Sequence, residues 1–428
     1  MDDARILTAI DVGTTKVCTI IGKLTGSNDL EILAYSVIPS EGLKKGNVAD
    51  VAAAEKAIRA SIQEAGQLAG ITVRSAYVGV AGAHVAFENR QDTVAGVGSR
   101  GVITAQDVNQ VPAMVAASKI EAGREIIHAI PISYSLDGQR GISNPLGMHS
   151  ENLEVKTHLV TGAIPVVAKL VSAVEGAGVK VDALVLEPLA SGEAVLTPEE
   201  KKKGAVLVDI GGGTTDVVVF KKNRIHFTAV LPVGGYQFSN DICLTYNTPY
   251  AAAEAAKLAY AHAEPSTVRP EEEISLPVTG RTTELKIPRR DLCQLTRERA
   301  LELINLIRMK LVEAHIVDTA GVRLVLTGGT SNLPGLHDLV RRNLTHRARI
   351  GAPDGNRNIP EALKVPSHST GVGILLWARN QQHPFGAQSM NGDGAQTSEV
   401  VEGLVFRLIE RIKKLLPVNL FSATQGRS

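Results

Sequence analysis

Two apolar runs of the same design stand nearly two hundred residues apart. Ile6-Leu7-Thr8-Ala9-Ile10 ends at Asp11, and Ala205-Val206-Leu207-Val208 ends at Asp209. Short apolar runs bounded by turn residues predict buried strands. After each Asp come small and hydroxyl residues: Gly13-Thr14-Thr15-Lys16 in one case, Gly211-Gly212-Gly213-Thr214-Thr215-Asp216 in the other. A second β-rich run follows each turn, Val17 to Ile21 and Val217 to Phe220. The pattern predicts strand, tight hairpin, strand, made twice.

Between and beyond the hairpins the period changes. Glu31 to Pro39 reads as a strand, Val51 to Ala69 as a helix with apolar spacing near 3.6, and Ser75 to Ala81 as a buried strand. Residues 84–163 mix short strands, a helix over Thr104 to Ile120 and the turns Asp137-Gly138 and Asn144-Pro145, which suits a small inserted α+β unit. Val166 to Ala177 reads as a helix and Val181 to Leu186 as a strand. Glu187-Pro188 opens a helix to Leu196, since proline suits the first helical turn. Gly234-Gly235 precedes a helical segment from Ser239. Pro265 to Pro288 holds two short strands, Arg290 to His315 a long amphipathic helix, and Val322 to Leu326 a strand that leads into Thr327-Gly328-Gly329-Thr330.

Composition narrows the function classes. The chain has 428 residues, enough for two or more domains. A formal charge of +1 gives no basic field, and 4% aromatics give no base-stacking surface, so nucleic acid is not an expected partner. Cys18, Cys243 and Cys293 are far apart and form no CxxC pair, which predicts neither disulfide nor zinc site and suits a cytosolic chain. The acidic start Met1-Asp2-Asp3 runs straight into a strand, so no signal peptide is expected.

The hairpins carry the chemistry. Glycines let backbone N–H groups approach an anion closely, and threonine hydroxyls add donors. An Asp opening each turn can hold Mg²⁺ through water, because Mg²⁺ keeps much of its hydration shell. Three further elements fall in order along the chain: Leu186-Glu187-Pro188-Leu189-Ala190-Ser191 before the second hairpin, Glu254 and Lys257 on a helix after Gly234-Gly235, and Gly328-Gly329 after a strand.

That order resembles the actin/Hsp70/sugar-kinase ATPase superfamily. Gly123 to Pro131, Asp137-Gly138-Gln139 and Asn144-Pro145-Leu146-Gly147-Met148 are similar to one member family, bacterial FtsA. The resemblance covers residues 4 to 380, and the tail matches in kind. It implies an α/β, actin-like, two-lobed ATPase fold with mixed sheets flanked by helices, plus an inserted α+β subdomain. By that analogy, residues 1–83, 164–197 and 361–380 build subdomain 1A, and 84–163 the inserted subdomain 1C. Residues 198–224 and 319–360 build subdomain 2A, and 225–318 subdomain 2B with its flanking helices.

The resemblance also assigns roles. Gly13, Thr14, Thr15 and Lys16 grip the β- and γ-phosphates of ATP from one side, and Gly211, Gly212, Gly213, Thr214 and Thr215 from the other. Asp11 and Asp209 lie near Mg²⁺, and Glu187 stands where related ATPases keep a water-polarising carboxylate. Gly234, Gly235, Glu254, Lys257, Gly328, Gly329 and Thr330 surround the nucleoside. Arg299 and Glu302 are candidate contacts for the C-terminal peptide of tubulin-like FtsZ. Hydrolysis is expected to be slow and regulatory. Self-association into filaments is implied, and residues 84–163 are candidates for meeting other division proteins.

The tail adds a membrane. Residues 381–398 are rich in Gly, Gln, Ser and Asn and read as a flexible linker, long enough to reach roughly 25 Å as a random coil. Over 399–416, Val401, Leu404, Val405, Leu408, Ile409, Ile412, Leu415 and Leu416 share one helical arc, with Glu402, Arg407, Glu410, Lys413 and Lys414 elsewhere. Pro417 stops this helix, leaving 417–428 as a tail. Its net charge is small, so attachment to lipid rests on apolar insertion, roughly 1.5–3 kcal/mol per well-buried aliphatic and only part of that at an interface. The resemblance makes it a membrane-targeting helix on the cytoplasmic face of the cell membrane at the division site. The competing readings are a pilus-assembly actin-like ATP-binding protein, which shares the inserted subdomain but not the need for this tail, and a metabolic kinase of the same superfold.

Overall fold

The computed structural model of the chain describes residues 5–25, 29–95, 101–105, 107–108, 120–354 and 358–381. β1 (Arg5–Val12) and β2 (Lys16–Leu24) form the first hairpin, with Asp11 opposite Cys18 and Val12 opposite Val17. β3 (Leu30–Pro39) continues the meander, and a two-residue ladder joins β4 (Leu43–Lys44) to β5 (Asn47–Val48). β6 (Ser75–Val80) then lies parallel to β1. β7 (Val85–Ala95), β8 (Arg124–Leu136), β9 (Gln139–Ile142) and β10 (Asn152–Ala163) make a separate antiparallel sheet in the order β7-β10-β8-β9. β11 (Lys180–Leu186) returns parallel to β6 and completes a five-stranded sheet, β11-β6-β1-β2-β3.

The second lobe repeats this plan. β12 (Ala205–Ile210), β13 (Thr215–Lys221) and β14 (Arg224–Leu231) form a meander, with Asp209 opposite Asp216 and Ile210 opposite Thr215. After the small hairpin β15 (Glu273–Pro277) and β16 (Glu284–Pro288), β17 (Leu324–Thr327) lies parallel to β12 and β18 (Ala348–Ile350) parallel to β17. The order β14-β13-β12-β17-β18 has the topology of the first sheet. The doubling seen in two short motifs therefore extends to whole sheets. Parallel neighbours cannot be joined by a tight turn, so crossover helices fall on the sheet faces.

Local chemistry sets those helices. Asp50 accepts the Ala52 and Ala53 N–H groups to start the Val51–Ala69 helix, and Gly70, at φ 67°, ends it in the left-handed conformation that glycine favours. Its buried face, Ala54, Ala57, Ile58 and Ile62, joins Leu170 and Val174 of the Ile164–Gly176 helix over Ile10, Val12, Val78 and Val80. Helices Glu187–Val195 and Ser369–Gln381 lie where the lobes meet. Leu189, Ala190, Val372 and Leu375 share one core with Leu7 and Ile20 of the first sheet and Leu207 and Val218 of the second. The Arg289–Glu313 helix covers the second sheet with Leu303, Ile304 and Ile307 on Val206, Val208 and Leu326.

Several boundaries differ from the sequence reading. The helix expected from Ser239 begins at Gly235, because hairpin carbonyls satisfy its first donors: Gly235 N–H bonds Gly211 O at 2.9 Å and Tyr236 N–H bonds Gly212 O at 2.7 Å. The long helix expected over 290–315 runs Arg289–Glu313, and His315 beyond it is left-handed at φ 60°. Of the helix expected over 104–120, Ala105, Asp107 and Val108 are helical and most of the rest lies outside the described residues. β14 and the helices Pro198–Lys203, Leu336–Asn343 and Ser369–Gln381 had no counterpart in the pattern.

The inserted sheet belongs in sequence to the first lobe but also rests on β14 of the second. Arg224 donates to Pro131 O at 2.8 Å and to Ser143 O at 2.5 Å. Asn89 donates to His226 O at 3.1 Å, and buried His158 stands 2.7 Å from Thr228 Oγ1.

Candidate functional site

Asp11 and Asp209 close equivalent strands at the head of the two hairpins. Each turn is tied the same way: Gly13 N–H bonds Lys16 O at 3.0 Å, and Gly211 N–H bonds Thr214 O at 2.9 Å. The turns meet. A Cβ added to Gly212 would stand 2.5 Å from Thr15 Cγ2, and one added to Gly213 would stand 2.5 Å from Thr14 Oγ1. Only glycine lets these backbones approach so closely. Thr14 Oγ1 also accepts the Gly46 N–H at 3.0 Å. Lys16 turns its ammonium to Ser367 O and lies 3.3 Å from His368 Nδ1.

The other expected nucleoside residues gather beneath the second hairpin. Gly234 and Gly235 open the Gly235–Tyr246 helix, and Gly234 has no room for a side chain beside Gly211 O and Gly212 O. Thr330 Oγ1 donates to Gly211 O at 2.9 Å. Lys257 bridges Gly235 O at 3.2 Å and Glu254 Oε2 at 2.7 Å, and Glu254 also accepts from Ser239 Oγ. Gly328 packs on Asp209 and Ile210, and Gly329 begins a short 3₁₀ turn. Residues drawn from three segments thus gather beside one hairpin.

Electrostatics single out the floor of the cleft. Burial pushes the Asp11 carboxyl up to about 6; Lys16 opposes this and Asp209 adds to it. Burial also raises Asp209, against hydrogen bonds from Ser191 and Thr370. Glu187, first residue of its helix, is held well above the usual carboxylate range by burial and by Asp11, Asp216 and Asp209. Asp216 is raised well above its ordinary value by burial and Asp209, and its Oδ1 is buried with no hydrogen-bond partner. Four carboxyl groups crowded together call for positive charge. Among the described residues no three His, Cys, Asp or Glu side chains group to bind a metal directly. The glycine cradle and the buried, unpartnered Asp216 Oδ1 have the chemistry to fit an anion accompanied by a hydrated cation.

Sequence reasoning gave no role to several residues that shape this floor. Asp216 and Ser191 stood inside quoted motifs, which was the available signal. His128 likewise lay inside the quoted stretch Gly123 to Pro131, whereas Thr370 gave no signal. His128 Nε2 accepts the Leu186 N–H at 3.0 Å, just ahead of Glu187, while its ring meets Trp377 edge-on at 5.4 Å.

The two candidate partner residues sit away from the cleft. Arg299 makes two hydrogen bonds to Asp241, at 2.6 and 2.7 Å, and one to Glu302 at 2.5 Å. It ties the long helix to the Gly235–Tyr246 helix, while Glu302 keeps 54% of its side chain exposed. Val401, Leu404, Val405, Leu408, Ile409, Ile412, Leu415 and Leu416 lie outside the described residues. Among the described residues no helix is long and apolar enough to cross a membrane.

Comparison with known proteins fits this geometry. Residues 206–373 match the family model "Cell division protein FtsA", and residues 82–161 match "SHS2 domain inserted in FTSA". The chain is 34% identical to the cell division protein FtsA of Pseudomonas aeruginosa, over 95% of this chain and 97% of that one. It is 30% identical to FtsA of Escherichia coli (strain K12), over 97% and 98%. Among solved structures it is similar in fold to a PilM-PilN type IV pilus biogenesis complex, with a TM-score of 0.59 at 19% identity, covering 87% of this chain and 98% of that one. MreB5 of Spiroplasma citri bound to ADP gives 0.50 at 13% identity, covering 88% and 97%. Both likenesses concern the fold, which is actin-like. Paired sheets, an inserted subdomain where the SHS2 model falls, and sequence identity along nearly the whole length agree: the chain belongs to the FtsA family of cell-division proteins.

Proposed function

We propose that this FtsA-family protein binds ATP with Mg²⁺ between its two hairpins and acts as a membrane-tethered, self-assembling anchor for FtsZ filaments. The observation that carries the reading is the meeting of two glycine-threonine turns over four buried carboxyl groups. ATP with its Mg²⁺ would bring an anion to the glycine turns and a cation to the buried carboxyl groups. Thr14, Thr15 and Lys16 offer donors from one lobe, and Gly211 to Thr215 from the other. Asp11 and Asp209 face the cation through water, and Glu187 stands beside them to orient a water. Gly234, Gly235, Glu254, Lys257 and Gly328 to Thr330 frame the nucleoside. In the described conformation Thr15 rests against Gly212, so the lobes must part to admit phosphates. Nucleotide then sets the angle between lobes, and with it the surface offered to the next copy. The likeness of MreB5, whose structure holds ADP, supports a nucleotide in this fold.

The tail reading rests on sequence alone: an apolar arc over 399–416 behind a polar linker. Glu302 is the more available of the two candidate contacts for the FtsZ peptide, since Arg299 is engaged by Asp241. The subdomain division given above belongs to the same proposal, with 84–163 as a surface for further division proteins.

Three measurements on the full chain test it. Fluorescent ATP should bind in the presence of Mg²⁺ and lose affinity in Asp209→Asn; unchanged binding there removes the cleft as the site. Anionic liposomes should sediment the full chain but not one ending at Ser398; equal pelleting ends the tether idea. The C-terminal FtsZ peptide should titrate against the full chain, and no binding leaves an actin-like nucleotide-binding protein at a membrane.

A further inference from the structure

A small cavity beside Glu187 is bounded by Gly46, Asn47, Gly79, His84 and Leu170. It gives a water's centre about 10 Å³ of freedom, which is room for one water molecule. Three polar side chains border it, Asn47, His84 and Glu187. His84 Nδ1 lies 2.9 Å from Asn47 Oδ1. A carboxamide oxygen only accepts, so the ring proton sits on Nδ1 and Nε2 is left as a bare acceptor. Nε2 is buried and no protein group bonds to it. Burial, and after it the Arg124 guanidinium, pushes the imidazole down to about 4, so the ring is neutral.

Glu187 is the opposite kind of group. Its Oε1 lies 3.5 Å from where a Cβ on Gly79 would stand, and Gly79 is a wall of the same cavity. Burial first, and then the charges of Asp11, Asp216 and Asp209, raise its carboxyl well above the usual carboxylate range. A water molecule can donate one proton to a bare imidazole nitrogen and the other to a carboxyl oxygen. A single water between them satisfies both.

His84 is fixed from several sides. Gly82, at φ 123°, leaves no room for a side chain: a Cβ there would stand 2.8 Å from Asn47 Oδ1 and 3.0 Å from His84 Nδ1. Arg124, the first residue of β8, donates to His84 O at 2.8 Å and to Thr161 Oγ1 at 2.8 Å. Asn47 follows Gly46, whose N–H holds Thr14 of the first hairpin. The imidazole thus stands where the hairpin, the acid and the root of the inserted sheet meet.

We propose that His84 is a positioning residue, whose Nε2 holds the Glu187 carboxyl at the cleft floor through one water in this cavity. The consequence for turnover rests on the reading of the cleft as an ATP site; the hydrogen-bond chain itself does not. Arg124, bonded to the His84 carbonyl, ties the inserted sheet to the same residue.

Two readouts on the full chain decide it. In the nucleotide-free protein labelled with ¹⁵N-histidine, His84 should show the Nδ1–H tautomer. Its Nε2 resonance should move in Glu187→Ala and stay in place in Glu193→Ala, a control on the same helix. An Nε2–H tautomer, or an Nε2 signal indifferent to Glu187, overturns the proposal. In ATP turnover, His84→Phe keeps the ring's bulk and loses the acceptor, so kcat should fall about tenfold or more with little change in KM. His84→Gln restores an acceptor and should recover most of that loss. Equal rates in wild type and His84→Phe, or a glutamine variant as slow as the phenylalanine one, also overturn it. If the wild type binds no ATP, the cleft reading fails while the tautomer experiment still decides the role of His84.

Discussion

Gly328 and Gly329 are neighbours with opposite expected responses to one added methyl group. Gly328 adopts φ 82°, ψ 161°, a region occupied almost only by glycine, where another residue costs about 1–3 kcal/mol. A methyl there would also overlap Asp209 Oδ1 and stand 2.5 Å from Ile210 O. The backbone of β12 cannot swing aside as a flexible side chain does, so overpacking adds about 1–3 kcal/mol. Gly328→Ala is therefore expected to cost about 2–6 kcal/mol, out of a total of roughly 5–15 kcal/mol for a folded domain. Gly329 would meet only Ser367 Cβ, at 3.6 Å, which is ordinary contact. Gly329→Ala should stay within about 0.5 kcal/mol. Urea unfolding followed by circular dichroism and by the fluorescence of Trp377, the only tryptophan, measures both. A loss below about 1 kcal/mol at Gly328, or equal losses at the two positions, refutes the claim that contact with Asp209 dictates this backbone.

Arg299→Ala should destabilise the protein by about 1–3 kcal/mol, the worth of charge-assisted hydrogen bonds, and Asp241→Ala should cost the same with no further loss in the double variant. Additive losses would mean that the two do not act as a pair. Asp11, at about 6 in the native state, lies above its ordinary value, so the native protein binds that proton more tightly than the unfolded chain. Its contribution is complete below about pH 4 and is lost as pH rises through 6; Asp11→Asn should flatten that decline and raise the unfolding temperature at pH 7. A lower unfolding temperature there would count against the burial argument. A Cβ on Gly212 would stand 3.3 Å from Thr15 Cβ, close to disulfide geometry. The double variant Thr15→Cys/Gly212→Cys should therefore lose ATP binding when oxidised and regain it on reduction; full binding by the oxidised form would show that phosphates do not enter between the hairpins.

The hairpins were legible because their strands are continuous apolar runs and their turns need glycine, two signals that survive without any tertiary context. The Val51–Ala69 helix was legible for the same reason, with a cap at each end. The return helix Ser369–Gln381 was not. It is buried on several sides, so its sequence lacks a polar stripe to reveal the period. The site divides in the same way. Asp11 and Asp209 follow directly from local pattern, whereas the Lys16 contact with Ser367 spans 351 positions. His84 sits in an unremarkable Gly-Ala-His-Val stretch, and only the fold puts it on the cavity that Glu187 borders. Arg299 shows the converse: the family resemblance offered it as a contact for a partner peptide, and its main partner within the fold is Asp241, 58 positions earlier.

The inserted sheet braces the molecule. It grows out of the first lobe and leans on β14, the edge strand of the second, through Arg224, Asn89 and His158. An uncovered edge strand is a template for another chain, and this one is shielded by the protein's own insertion. If one lobe turns against the other, the distances across this contact must change with it. The insertion must then either travel with the second lobe or release it, so any turning of the lobes has to be met at this contact.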